Sequence, residues 1–102
     1  MRYYNRRGES ISIGEWMRLV EDHEYHFLAK TNVDGALVST VWLGIDHNFS
    51  GEGSLEIFET MVFGGSWDED YMARYATEEA AMDGHECAVL WVRNRIGAVN
   101  HG

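Results

Sequence analysis

The chain has 102 residues, a formal charge of −9 and 45% hydrophobic residues, four of them Trp, so it has room for one domain that buries roughly two-thirds of the surface its unfolded chain exposes. The acidic balance argues against duplex nucleic acid: no Lys or Arg lies between Lys30 and Arg74, whereas Asp34, Asp46, Glu52, Glu56, Glu59, Asp68, Glu69 and Asp70 all do. Arg2, Arg6 and Arg7, with Arg93 and Arg95, are too few to follow a phosphate backbone.

Cys87 is the single cysteine, which rules out an intrachain disulfide and points to a reducing, cytoplasmic setting. The basic opening Met1 to Arg7 has no apolar run behind it, so neither a signal peptide nor a membrane anchor is expected.

Residues 1–10 read as a loosely held arm, although Tyr3 and Tyr4 suit a sheet edge. Ser12-Ile13-Gly14-Glu15 has the spacing of a capping box, with Ile11 and Trp16 placed as a hydrophobic staple. Ile13, Trp16, Met17 and Val20 then recur at helical spacing, which predicts an amphipathic helix over 13–22. From Glu24 to Val33 the pattern changes to alternation, and Asp34-Gly35 supplies a tight hairpin into a return strand over 36–44. A two-residue turn sets Val33 against Ala36, Ala29 against Thr40 and Phe27 against Trp42. The Gly-rich linker 45–54 is longer than a hairpin requires, and such loops often carry function.

Leu55 to Phe63 alternates again and reads as the central strand. Placing Gly44 opposite Leu55 gathers Tyr25, Phe27, Ala29, Thr31, Val38, Thr40, Trp42, Ile57, Glu59, Met61 and Phe63 on one face, assigned to the helices. The other face then holds His26, Leu28, Leu37, Val41, Leu43, Phe58 and Val62, mixed with Lys30, Ser39, Glu56 and Thr60. That face is too apolar to be left wet. Beyond an acidic turn at 64–70 come a short strand over 71–75 and an N-cap at Thr77. A helix over 78–92 would align Ala81, His85, Ala88 and Val92, with Gly84 admitting a close neighbour. Asp83-Gly84 can instead turn the chain into a strand over 86–92. Residues 94–102 read as a polar tail. The class is α+β: an antiparallel three- to four-stranded meander with two helices in a single domain.

Glu59 is the pointed residue of this reading. Beside Thr40 among aromatic rings, its carboxylate would be desolvated, fit either to bind a ligand's amine or base edge or to lock the core through hydrogen bonds. A pocket near Trp42, Thr40, Asp46, His47 and Glu59 is the candidate ligand site, and Trp42, Phe49, Trp67 and Trp91 are candidate stacking surfaces for a nucleotide-like ligand. For Asp46-His47, an Asx-turn with a hydrogen-bonded imidazole competes with metal binding, and no HxH, HExxH or CxxC spacing is present. No cofactor is implied, and no motif supports nucleophilic catalysis, since Ser39 and Ser50 lack a GxSxG context and Cys87 lies among apolar residues. Leu28, Val41, Leu43 and Phe58 are the candidate oligomer interface. Two copies packed face to face is the arrangement expected if both helices sit on the opposite side.

The run Val38 to Phe49, the segment Ile57 to Gly64, and the pieces Arg74 to Ala80 and Gly84-His85-Glu86 together resemble a group of small uncharacterised proteins of tailed bacteriophages and actinobacterial prophages, over about residues 38–90. The resemblance implies a phage-type protein of the host cytoplasm and lends no activity. Members of that group often carry prolines before the central strand, and this chain has no proline. By analogy of class, such accessory proteins act by binding, either blocking a host defence protein or sequestering a nucleotide. The competing expectations are a metal-assisted or nucleotide-processing enzyme using the same residues, and an assembly component acting through the apolar sheet face.

Overall fold

The structure, a computed structural model, describes residues 2–50, 52–64 and 71–101, without the side chains of 96–101. Two short strands, β1 (Tyr3–Tyr4) and β2 (Ser10–Ile11), precede helices α1 (Ile13–Glu21) and α2 (His23–His26). Strands β3 (Phe27–Val33), β4 (Ala36–Trp42), β5 (Phe58–Phe63) and β6 (Met72–Tyr75) follow, and α3 (Glu78–His101) closes the chain. The larger sheet is antiparallel in the order β3-β4-β5-β6. It is the α+β meander expected, in its four-stranded form.

Local chemistry explains most of the boundaries. The Ser12 hydroxyl accepts from the Glu15 N–H at 3.2 Å, as the capping-box spacing requires. The Glu15 carboxylate, however, leans toward Arg18 at 3.8 Å. The stripe α1 turns inward is Trp16, Leu19 and Val20, while Ile13 and Met17 are exposed. Asp22 then serves two helices, since its N–H donates to the Leu19 carbonyl and its side chain accepts from the Tyr25 N–H. That second cap holds 23–26 helical and delays the strand expected from Glu24 until Phe27. At the far end, the Thr77 hydroxyl accepts from the Ala80 N–H at 3.1 Å. The helix this cap opens continues through 86–92 and on to His101, which decides between helix and strand there. Residues expected as a polar tail therefore form its last turns.

The N-terminal arm is held. Tyr4 donates its N–H to the Gly44 carbonyl at 2.9 Å, and its own carbonyl accepts from the Trp42 indole at 3.0 Å. Arg6 reaches Glu78 at the start of α3 with a 2.6 Å ion pair, and its backbone N–H donates to the Tyr25 hydroxyl at 2.8 Å. Tyr3 pairs with Ile11 of β2 and bridges Ile45, just beyond β4, rather than joining an edge strand of the larger sheet.

Two registers differ from the sequence reading, and both move side chains across the sheet. Val33 opposes Ala36 and Ala29 opposes Thr40 as expected, but a bulge at Leu28 sets Phe27 against Val41 rather than Trp42. An extra residue in one strand reverses the facing of everything beyond it, so Phe27 leaves the helix side. Between β4 and β5 the pairing is one residue off the expected register, with Trp42 opposite Phe58, Thr40 opposite Thr60 and Val38 opposite Val62. Because side chains alternate, that single step exchanges the faces of the whole strand. Phe58, Thr60 and Val62 point under the helices, while Glu59, Met61 and Phe63 point away.

Both longer helices lie on one side of the sheet. Val33, Ala36, Val38 and Val62 pack against Ala88, Val89 and Val92 of α3. Trp42, Ile57 and Phe58 pack with Ala81 and with Leu19 of α1. The predicted inward row of α3, Ala81, His85, Ala88 and Val92, is buried throughout. Gly84 lies so close to Tyr75 that a Cβ there would overlap the phenol ring. At Gly44, φ is +74° and a Cβ would collide with the indoles of Trp16 and Trp42, so glycine is required twice over.

Candidate interaction surface

The residues proposed for a ligand pocket do not converge. Trp42 is fully buried in the core, its indole N–H spent on the Tyr4 carbonyl. Thr40 is fully buried too, and lies on the inner face. Glu59 sits on the opposite face, accepting from the Arg74 guanidinium at 3.1 Å with its side chain 14% exposed. The register step that reverses β5 is what separates it from Thr40. Asp46 forms the Asx-turn, accepting from the N–H groups of Asn48 at 2.9 Å and Glu56 at 2.8 Å. The His47 Nδ1 donates to the Ile45 carbonyl at 2.9 Å. Of the proposed aromatic platforms, Phe49 is exposed, Trp91 packs on Tyr71 with Arg95 over its ring, and Trp67 lies outside the described residues. A groove of about 420 Å³ beside the loop is lined by Arg2, Tyr4, Asp46, Asn48 and Phe49. No group of three or more His, Cys, Asp or Glu able to hold a metal ion occurs among the described residues.

What sequence reasoning missed lies inside. The His85 Nε2 is 2.8 Å from the Thr31 hydroxyl, its Nδ1 is 2.7 Å from the Thr40 hydroxyl, and Thr40 is 2.6 Å from Thr60. Four side chains from α3, β3, β4 and β5 thus satisfy one another in the core, as buried polar groups must. Burial holds the His85 pKa below its ordinary value. The sequence reading placed His85, Thr31 and Thr40 on the inner side but set Thr60 on the other face, and only the observed register brings Thr60 opposite Thr40.

Among the described residues, no helix packs on the other face of the sheet. Three cross-strand rows run over it: Phe27, Val41, Glu59 and Arg74; then Lys30, Ser39, Met61 and Met72; then Asn32, Leu37 and Phe63. A depression of about 330 Å³ lies among them. Lys30 Nζ stands 3.8 Å from the centroid of the Phe27 ring. Phe63 is 46% and Met72 55% exposed. An antiparallel sheet can face water on one side, but it then normally shows polar residues there. Here six apolar side chains share the face with two cations and one carboxylate. Of the interface residues expected from sequence, Val41 belongs to this face. Phe58 is buried in the core, and Leu28 packs with the same inner cluster, because the bulge and the register step turn them inward. Leu43 is half-buried, and its carbonyl accepts from the Trp16 indole at 3.0 Å.

No family model, curated protein or solved structure matches this chain. Among the described residues, no helix is long and apolar enough to cross a membrane.

Proposed function

We propose that this protein acts by binding rather than by turnover, as a self-pairing component whose working surface is the open face of its sheet and whose first occupant is a second copy of the chain. The observation that carries the reading is the one-sided placement of the helices, which leaves Phe27, Leu37, Val41, Met61, Phe63 and Met72 together on an uncovered face. Exposed apolar surface of this extent marks a contact site in soluble chains. Four strands about 4.8 Å apart, three of six or seven residues and β6 of four, rising about 3.3 Å each, span at most roughly 19 by 22 Å. That plan, roughly 400 Å² before side-chain relief, compares with about 600 Å² per partner at the lower end of specific interfaces.

Like charge opposes a copy on this face less than a copy elsewhere. The whole chain carries −9, so most pairs of surfaces bring like charges together. This face carries Lys30 and Arg74 against Glu59 alone. Taken with the resemblance to small phage proteins, the reading is of an accessory or assembly protein of the host cytoplasm that works by contact.

Sedimentation at several concentrations tests it. Self-association is expected in the parent chain and loss of it in Met61→Lys, with the circular dichroism unchanged. Equal association of both chains would refute the reading.

A further inference from the structure

We infer that the depression on the open face binds a small soluble aliphatic carboxylate, its anionic head held by Lys30 and Ser39 and its tail laid over Met61 toward Phe63. The inference goes beyond self-pairing and requires no second copy; where two copies do pair on this face, the ligand competes with them. At about 330 Å³, the depression is at the lower end of ligand sites, which run from about 300 to 1,000 Å³. That volume suits one short chain rather than a two-tailed lipid.

The polar groups select an anion and place its head. Ser39 is only 6% exposed and lines the depression, yet among the described residues its hydroxyl has no hydrogen-bond partner. Buried hydroxyls are normally satisfied, so a bound acceptor would complete this one. Lys30 is the direct cross-strand partner of Ser39, which raises both side chains from the same face about 5 Å apart at Cβ. The Lys30 ammonium is drawn over the Phe27 ring at 3.8 Å, and its polar contact is the His23 Nε2 at 3.3 Å. An ammonium has three donors, and no carboxylate pairs with this one among the described residues.

Glu59, the acid of this face, is engaged by Arg74 at 3.1 Å on the two strands farther from Lys30. The uncompensated charge of the depression is therefore positive and sits at Lys30. A ligand carrying an ammonium would meet two cations and no free acid. A wholly apolar one would strip water from Lys30 and Ser39 without replacing it. A carboxylate accepts from both, in charge-assisted bonds. For the tail, Met61 stands opposite Ser39, and its flexible thioether adapts to an alkyl chain. Phe63 lies two residues on along β5, in the direction away from Glu59.

Equilibrium dialysis against octanoate, octanol and octylamine, each below the concentration at which it aggregates, tests the site. Octanoate is expected to saturate one site per chain, and to bind about tenfold more weakly in Lys30→Met and in Ser39→Ala, with circular dichroism unchanged. Octanol is expected to bind the parent more weakly than octanoate does, and to bind Lys30→Met no more weakly than the parent. Octylamine retained as tightly as octanoate, an octanoate affinity unmoved by Lys30→Met, or no saturable octanoate binding would each overturn the site. Sedimentation of the same samples keeps it apart from self-pairing. A chain that binds octanoate yet stays monomeric would support the site and overturn self-pairing, whereas one that pairs without binding octanoate would overturn the site alone.

Discussion

The two faces of one sheet, built from the same strands, differ in what covers them. The inner face is filled by Val38, Trp42, Phe58 and Val62, all fully buried, and even its polar residues, Thr40, Thr60 and His85, are satisfied by one another. The outer face also carries apolar side chains, yet apart from Ser39 its residues are half-buried or exposed, and Glu59 is paired there with Arg74. Apolar character therefore does not distinguish them. Coverage does, and coverage comes from where two helices could dock.

Substitutions on the two faces should separate stability from association. Trp42→Ala removes a fully buried indole and its bond to the Tyr4 carbonyl, and is expected to cost about 3–5 kcal/mol of folding stability, read as a large fall in the denaturant midpoint. Thr60→Val leaves the Thr40 hydroxyl short of a buried partner, for about 1–3 kcal/mol. If it were neutral, the polar network would not be part of what holds the inner face.

Acid should act on the inner face as well. His85 has its pKa lowered by burial, so the unfolded chain takes up the proton at higher pH than the folded one, and stability should decline as pH falls below about 6.5. His26 is shifted the same way, chiefly by burial. Thermal unfolding of His85→Gln should therefore show a shallower acid slope than the parent, with the His26 part remaining. An unchanged slope would remove His85 from the account.

The outer face should respond in the opposite sense. Met61→Lys is expected to change folding stability by less than about 0.5 kcal/mol, as surface substitutions do, while abolishing self-association. Raising salt from about 50 to about 500 mM should strengthen pairing modestly, because the repulsion between two chains of −9 is screened beyond roughly a Debye length. Weakening with salt would mean that ion pairs rather than apolar contacts hold the copies together.

The elements themselves were legible because their signals are local. Ser12 and Thr77 cap helices through hydroxyls that reach only three residues on, Asp34-Gly35 turns the hairpin, and the spacing of Ala81, His85, Ala88 and Val92 marks the buried stripe of α3. The proposed pocket was not, because it depended on which residues of β5 share a face with Thr40. A bulge at Leu28 and a single step of register at Glu59 moved those partners to opposite sides.

By itself, the sequence determined that this chain forms helices and alternating strands in this order, since capping, turn formation and periodicity are properties of neighbouring residues. Which residue faces which was left to the tertiary structure. Strand register turns on long-range packing: Phe58 and Val62 fill the space beneath α3 and α1, and Glu59 finds Arg74 on the far side. A one-residue step costs nothing in local geometry, yet it decides which residues enter the core and which face away from the helices.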